Sequence, residues 1–397
     1  MPWEETDLMD LRSQFVCAFE SNLINMTSLC REYGISRPTG YFWVRRHRDA
    51  VSTGMADLSR APHSCPHRTP ADVVAAIVKC RNDHPRWGPR KVLAVLTRDR
   101  PELLERLPAS STAGDILKAA GLVPTRKCRS RSEHPGSSPV VTDIPNDVWY
   151  IDFKGEFRMR DGVLCYPLTV TDAKTRYLLG CVGSPSTHHQ GVQIALQLLF
   201  EQVGLPKAIR SDNGNPFCTI AIGGISRLSI WWTKLGILHD RSRPARPQDN
   251  GQHERMHRDL KAGTARPPAQ NMVSQQESFD AFRHEFNHVR PHEALDMKTP
   301  ASVWRPSARE MPATLPEYEY PGHMTVRRVS ESGEYKFSGQ PVFLSQVLSN
   351  ESIALEETDD GIWSLYFCDR LLGKMDERVL KVVPIAPKPV LDRSVLQ

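Results

Sequence analysis

Three acidic residues sit in settings that could bring carboxylates together on rigid elements. Asp152 lies inside the apolar, strand-like run Asp147-Val-Trp-Tyr-Ile-Asp152-Phe153. Asp212 lies in Ile209-Arg-Ser-Asp212-Asn-Gly214, where a short strand should end. Glu254 lies in Asp249-Asn-Gly-Gln-His-Glu254-Arg255, at the start of a helix. A charged carboxylate inside an apolar strand is costly unless something partners it, and a metal ion would. Asn213 and Gly214 permit a tight turn after Asp212. Glu254, Arg258 and Lys261 recur at helical spacing, so cations flank the acid on one face, where they could hold phosphates. Phosphoryl transfer between DNA strands must activate one oxygen and stabilise another, which two magnesium ions roughly 3.5–4 Å apart can do. Magnesium prefers carboxylate oxygen and water, so a few Asp or Glu side chains suffice. Asp152, Asp212 and Glu254 are therefore the candidate metal ligands and catalytic residues.

Each setting also has a plainer reading. Asp-Asn-Gly is a common turn, and a helical Glu is commonly just solvated; the conjunction of the three carries the inference. Asp161 and Asp172 fall in hairpin turns, and Asp249 suits a helix N-cap. His188, His189 and His253 are expected not to ligate metal. His253 lies about 100° round the helix from Glu254 and could contact DNA or cap the helix.

The elements around these acids alternate strand and helix. Strands are expected at Val148–Phe153, Val163–Thr171 and Arg176–Val182, joined by turns into an antiparallel meander. A helix is expected over His188–Val203, with Val192, Ala195, Leu196, Leu199 and Val203 on one face. Lys207–Arg210 and Gly236–Leu238 read as short strands, and Ile225–Leu235 and Asn250–Lys261 as helices. Phe279–His288 continues the helical region. The order gives an α/β layer fold with a mixed sheet over residues 146–305.

Upstream the pattern is helical. Residues 1–50 contain a short helix starting at Thr27, a stop at Gly34, and a second helix carrying Arg37, Tyr41, Trp43, Arg45, Arg46 and Arg48. This suits a helix-turn-helix that binds DNA, or equally a three-helix bundle with a solvated basic face. Residues 51–68 read as a linker. His63, Cys65 and His67 within it lack the fourth ligand that structural zinc needs. Residues 69–125 repeat the helical design as a second helix-turn-helix or winged-helix-like unit. Thr69 is its expected N-cap, and Arg86, Arg90 and Lys91 are candidate DNA contacts. Residues 126–145 form a basic, Pro-rich linker in which Arg126, Lys127, Arg129 and Arg131 could lie along phosphates, or simply confer solubility. Downstream, 306–322 is a Pro-rich linker, 323–382 carries closely spaced short strands that read as a small β-barrel, and 383–397 is a tail.

Composition agrees with a multidomain chain. At 397 residues it is too long for one ordinary domain, and its net charge of +5 permits a polyanion partner without demanding one. The nine scattered cysteines form no C-x-x-C pair, which argues for a reducing compartment. The N-terminus lacks a secretory pattern, and no apolar run approaches the ~20 residues of a membrane span, so a cytoplasmic location is expected.

The motifs resemble those of a known family. Trp149-Tyr-Ile-Asp152-Phe153, Ser211-Asp212-Asn-Gly214 and Asp249-Asn-Gly-Gln-His-Glu254-Arg-Met-His-Arg-Asp-Leu-Lys261 resemble the catalytic triad of DDE transposases and retroviral-type integrases. The segment Phe286-Asn-His-Val-Arg-Pro-His-Glu-Ala-Leu-Asp-Met-Lys-Thr-Pro300 is similar to the one that follows the triad in insertion-sequence transposases. His84-Pro-Arg-Trp-Gly-Pro-Arg-Lys91 and an insertion over Gly223–Trp232 make the IS481 family, in the IS3-like group, the most similar. The resemblance implies an RNase H-like core, bacterial and nucleoid-associated when bound to DNA. It implies two Mg2+ or Mn2+ ions at Asp152, Asp212 and Glu254. It further implies cleavage at inverted-repeat ends, joining to target double-stranded DNA, and a dimer or larger assembly. The 41 residues between Asp212 and Glu254 exceed the spacing usual in the retroviral relatives, and the insertion accounts for the excess. Two other classes were weighed: a catalytically silent, domesticated DNA-binding regulator, and a nuclease that hydrolyses without joining. The intact triad speaks against the first, and the paired N-terminal units against the second.

Overall fold

A computed structural model describes residues 8–49, 55, 57, 68–123, 142–219, 221–242 and 251–385. The chain divides into two compact units, Met1–Arg68 and Thr69–Gln397.

The first unit holds α1 (Leu8–Glu20), α2 (Met26–Glu32) and α3 (Arg37–Asp49). Asn25, rather than Thr27, starts α2: its side chain accepts from the Ser28 amide at 2.9 Å, so the cap falls two residues earlier than expected. Phe15, Val16, Met26, Leu29, Cys30 and Val44 form the core. Gly40 sits where a Cβ would meet Cys30, Met26 and Phe15 below 3.0 Å, so α3 crosses the other helices at a point that only glycine fits.

The second unit opens with α4 (Ala71–Asp83), α5 (Pro89–Asp99) and α6 (Ser110–Ala119), packed around Val73, Ile77, Trp87, Val92, Leu96 and Leu117. Thr69 does not cap α4. Pro70 takes the cap position, with no side-chain hydrogen bond. Next come β1 (Val148–Phe153), β2 (Phe157–Arg158), β3 (Leu164–Asp172), β4 (Leu178–Ser184), α7 (His189–Val203), β5 (Ala208–Ser211), α8 (Arg227–Lys234), β6 (Leu238–Arg241), α9 (Gly251–Thr264), α10 (Met272–His284) and α11 (Pro300–Val303). The sheet is mixed: β1 pairs antiparallel with β3 and parallel with β5, β5 is parallel to β6, and β3 pairs antiparallel with β2 and β4.

Strand periodicity decides which way Asp152 faces. Trp149 and Ile151 point to one side of β1 and join Val192, Leu196 and Phe200 of α7 and Leu228, Trp231 and Trp232 of α8. Val148, Tyr150 and Asp152 alternate to the other side. That side is covered by α9 and α10, whose Met256, Leu260 and Phe279 pack on Cys165, Leu178 and Cys181.

The C-terminal β region comprises β7 (Thr325–Arg328), β8 (Glu334–Phe337), β9 (Gln340–Phe343), β10 (Ser352–Asp359), β11 (Ile362–Phe367), β12 (Arg370–Asp376) and β13 (Lys381–Pro384). Its ladder runs β13-β12-β11-β10-β7 with β8–β9 as a separate hairpin, and one core serves both. The last strand begins inside the stretch expected to be linked to a tail. The Gly223–Trp232 insertion reaches this core as well. Ile222, Ile225 and Ile230 belong to it, Arg370 donates to the Gly223 carbonyl at 2.7 Å, and Lys234 pairs with Glu351. The insertion is the seat of the β region on the α/β layer.

Candidate active site

Three neighbouring elements bring the acids to one end of the sheet. Asp152 stands near the end of β1, Asp212 follows the end of the adjacent parallel strand β5, and Glu254 lies in the first turn of α9, which covers Asp152's face of the sheet. Their proximity is visible in the Asp152 carboxyl. Burial first, then the Asp212 charge, push it from 3.8 to about 7, and Glu254 adds to the rise against the opposing pull of Lys154. Asp212 is half-buried, and its Oδ1 accepts from the Gly214 amide at 3.1 Å. A Cβ on Gly214 would lie 3.0 Å from Asp212 Oδ2, so glycine is the residue that lets the turn wrap the carboxylate. Glu254, Arg258 and Lys261 are exposed together on one face of α9. The opposite face, His253, Met256, His257 and Leu260, is buried.

The competing acids have the turn roles expected of them. Asp172 is buried and accepts from Asn146 N, Thr175 N and Thr175 Oγ1 at 2.6–2.7 Å. Asp161 accepts from the Val163 amide. Asp249, with residues 124–141 that include Arg126, Lys127, Arg129 and Arg131, lies outside the described residues, as do His63, Cys65 and His67.

His253 departs from expectation. It neither caps α9 nor reaches the surface. Its ring is buried, with Nε2 at 2.8 Å from Thr169 Oγ1 and Nδ1 at 2.8 Å from Thr171 Oγ1. One turn later His257 is also buried, with Nε2 at 2.6 Å from Thr169 Oγ1 and Nδ1 at 3.8 Å from Asp152 Oδ2. Burial holds both imidazoles neutral, well below the usual histidine range. Asp152, His253 and His257 offer ligand atoms within 4.8 Å of one another, but the threonine hydroxyls already occupy both His253 nitrogens. The sequence reading missed His257, Thr169 and Thr171. The available signal was polar pairs at matching periods, i and i+4 on a helix and i and i+2 on a strand.

The basic candidates divide. Arg37, Tyr41, Arg45 and Arg48 are exposed on α3, with Arg48 3.9 Å from Glu20. Trp43 packs against the core of the first unit, with the Arg12 guanidinium 4.1 Å over its ring, and Arg46 lies over Phe42 and Trp43. Trp43 is therefore a packing residue, because the fold needed its area inside. In the second unit Arg86 donates to the Asp259 carbonyl, and Arg90 pairs with Glu293 at 3.3 Å. Burial and Arg290 lower Lys91 to about 8. These three bridge the helical segment to α9 and the segment behind it. Arg290 pairs with Asp259, and Asn287 hydrogen-bonds both the amide and carbonyl of Leu178, so the residues after the triad hold α9 and β4 in place.

The chain resembles known proteins over this region. Residues 142–247 match one family model described as an integrase core domain, and residues 235–300 match a second with the same description. An uncharacterised Caenorhabditis elegans protein, K02A2.6, is 30% identical over 182 residues, which is 44% of this chain and 13% of that protein. The chain thus spans about an eighth of that relative. An uncharacterised 39.2 kDa protein of the insertion element IS476 from Xanthomonas euvesicatoria is 26% identical over 62% of this chain and 69% of its own length. The catalytic core of HTLV-2 integrase, solved in complex with magnesium, superposes with a TM-score of 0.32 at 14% identity, covering 40% of this chain and 97% of that one. No helix among the described residues is long and apolar enough to cross a membrane.

Proposed function

We propose that this chain is an insertion-sequence transposase of the DDE type, in the IS481 family of the IS3-like group, with an RNase H-like core. It binds the terminal inverted repeats of its element, cuts there, and joins the freed 3′-hydroxyl to target double-stranded DNA. The observation that carries the reading is the Asp152 carboxyl, raised to about 7 by burial and by Asp212 and Glu254. Three carboxylates that raise one another's proton affinity at a strand end need a cation, and an all-oxygen donor set suits a hard divalent ion. Asp152, Asp212 and Glu254 would hold two Mg2+ or Mn2+ ions. When bound, such a pair activates the attacking oxygen and stabilises the leaving oxygen. The protein's own part is positional. Gly214 fixes the Asp212 carboxylate, the buried face of α9 fixes Glu254, and Arg258 and Lys261 present cations to phosphates beside it. The α1–α3 and α4–α6 bundles are the proposed end-reading units, and the C-terminal strands the proposed small barrel. Synapsis of two ends calls for a dimer or larger assembly, working on chromosomal DNA in the cytoplasm.

The test is a labelled duplex carrying the inverted repeat that flanks the gene, incubated with magnesium and the full chain. Asp152→Asn, Asp212→Asn and Glu254→Gln should each abolish strand transfer while end binding survives. Normal joining by any one of them would overturn the assignment.

A further inference from the structure

The hydroxyls and imidazoles beneath Asp152 form a chain whose direction can be worked out from proton counts. Thr169 is the cross-strand partner of Asp152 in the β1–β3 ladder, and Thr171 lies two residues along on the same face. The Thr169 hydroxyl has three neighbours: the Asp152 carbonyl at 3.1 Å, His253 Nε2 at 2.8 Å and His257 Nε2 at 2.6 Å. It has one proton to give, and a neutral imidazole has one donor and one acceptor nitrogen.

Suppose the proton goes to the Asp152 carbonyl. Both Nε2 atoms must then donate to Thr169, and the bare Nδ1 lone pair of His257 faces the Asp152 carboxylate. Two acceptors opposed in a buried space are unfavourable. Suppose instead it goes along the shortest contact, to His257 Nε2. Thr171 Oγ1 then donates to His253 Nδ1, His253 Nε2–H donates to Thr169 Oγ1, Thr169 donates to His257 Nε2, and His257 Nδ1–H points at Asp152 Oδ2. Every donor in the chain has one acceptor. The last gap, 3.8 Å, is longer than a hydrogen bond. Such contacts are commonly long before substrate and cofactor draw a site together. The two rings brace each other edge to face at a centroid distance of 4.3 Å.

We propose that His257 is a positioning residue for Asp152: its Nδ1–H, oriented by Thr171, His253 and Thr169, directs Asp152 Oδ2 and turns Oδ1 toward the cation. The inference rests on the metal site proposed above. Outer partners of this kind typically change metal affinity by 10–100-fold.

Mn2+ binding to the full chain, followed by calorimetry and electron paramagnetic resonance, tests it without reference to turnover. His257→Asn sets an amide N–H near the Nδ1 position, whereas His257→Gln sets one near Nε2. Both are polar and smaller changes than removal of the ring. Asn should keep most of the Mn2+ affinity and Gln should lose about 10-fold or more. Thr169→Val, which preserves shape and breaks the chain, should weaken binding in the same direction. Equal affinity of the Gln variant and wild type, equal loss in the Asn and Gln variants, or unchanged binding in Thr169→Val would each overturn the proposal. So would nitrogen coupling to the bound Mn2+, which would make an imidazole a ligand. Asp152→Asn separates the two readings. If it loses Mn2+ and His257→Gln does not, the metal site stands and the positioning role fails. If Asp152→Asn binds as wild type does, the metal site itself is wrong and this inference falls with it.

Discussion

Removing the charge of Asp152 should stabilise the protein when no metal is present. A carboxyl whose pKa is 3.8 in the unfolded chain and about 7 in the fold binds its proton more tightly folded than unfolded. Below 3.8 both states are protonated and the group costs nothing. As pH rises toward 7 the unfolded chain releases its proton first, so stability falls, and above 7 the loss levels off. At 1.36 kcal/mol per pKa unit the full penalty is about 4 kcal/mol. The side chain is 27% exposed, and solvent screening reduces that to roughly 2–4 kcal/mol. Asp152→Asn keeps the shape and is neutral at every pH. In EDTA at pH 8 it should melt higher than wild type by roughly 4–8 °C, at about 2 °C per kcal/mol for a unit of this size. At pH 4.5 the gap should shrink to about a quarter of its pH 8 value. Magnesium should raise the wild-type melting temperature and leave the variant's unchanged. Differential scanning calorimetry across pH, with and without metal, reads all three. Equal melting of the two proteins in EDTA at pH 8, or a gap independent of pH, would refute the account of three mutually repelling carboxylates.

Two further outcomes follow from the same site. Gly214→Ala places a methyl 3.0 Å from Asp212 Oδ2, so strand transfer should drop about 10-fold or more, as for other misplaced catalytic groups, while the melting temperature moves little; a full-rate variant would show that the turn does not set the carboxylate. Arg258→Ala and Lys261→Ala should weaken DNA binding uniformly across sequences, each lowering the slope of log affinity against log salt by about 1, and an unchanged slope would remove that residue from the phosphate contacts.

The parts of this site that sequence made legible were those fixed by local periodicity. Alternation along Val148–Phe153 told which residues share a side of the strand, and the apolar spacing after Glu254 told that α9 buries the face opposite to it. Cap positions were less legible, because Asn25 and Thr27 both suit an N-cap and only packing chooses between them. The threonine–histidine chain was illegible for a different reason. Thr169 and His257 are 88 residues apart, and nothing local distinguishes a histidine that will be enclosed by hydroxyls from one that faces solvent. Basic residues misled for the same reason: Arg86, Arg90 and Lys91 look like a phosphate comb until α9 and Glu293 are set against them. The insertion read correctly as excess length between two motifs, but its job, carrying Ile222, Ile225 and Ile230 to the C-terminal strands, depends on contacts more than a hundred residues away.

Asn146 has a consequence beyond the packing around it. Its backbone takes the left-handed conformation at φ 67°, its amide Nδ2 donates to the Arg305 carbonyl at 2.9 Å, and its Oδ1 receives the indole N–H groups of Trp149 and Trp304. The Trp304 ring lies flat on Tyr177 at 4.3 Å. Entry to and exit from the α/β layer therefore happen at one spot, fastened by a single side chain. A piece of polypeptide whose two ends meet behaves as a cassette. It can be spliced between different neighbours, with whatever precedes residue 146 and whatever follows residue 305 exchanged, and the geometry of the acids inside stays as it was.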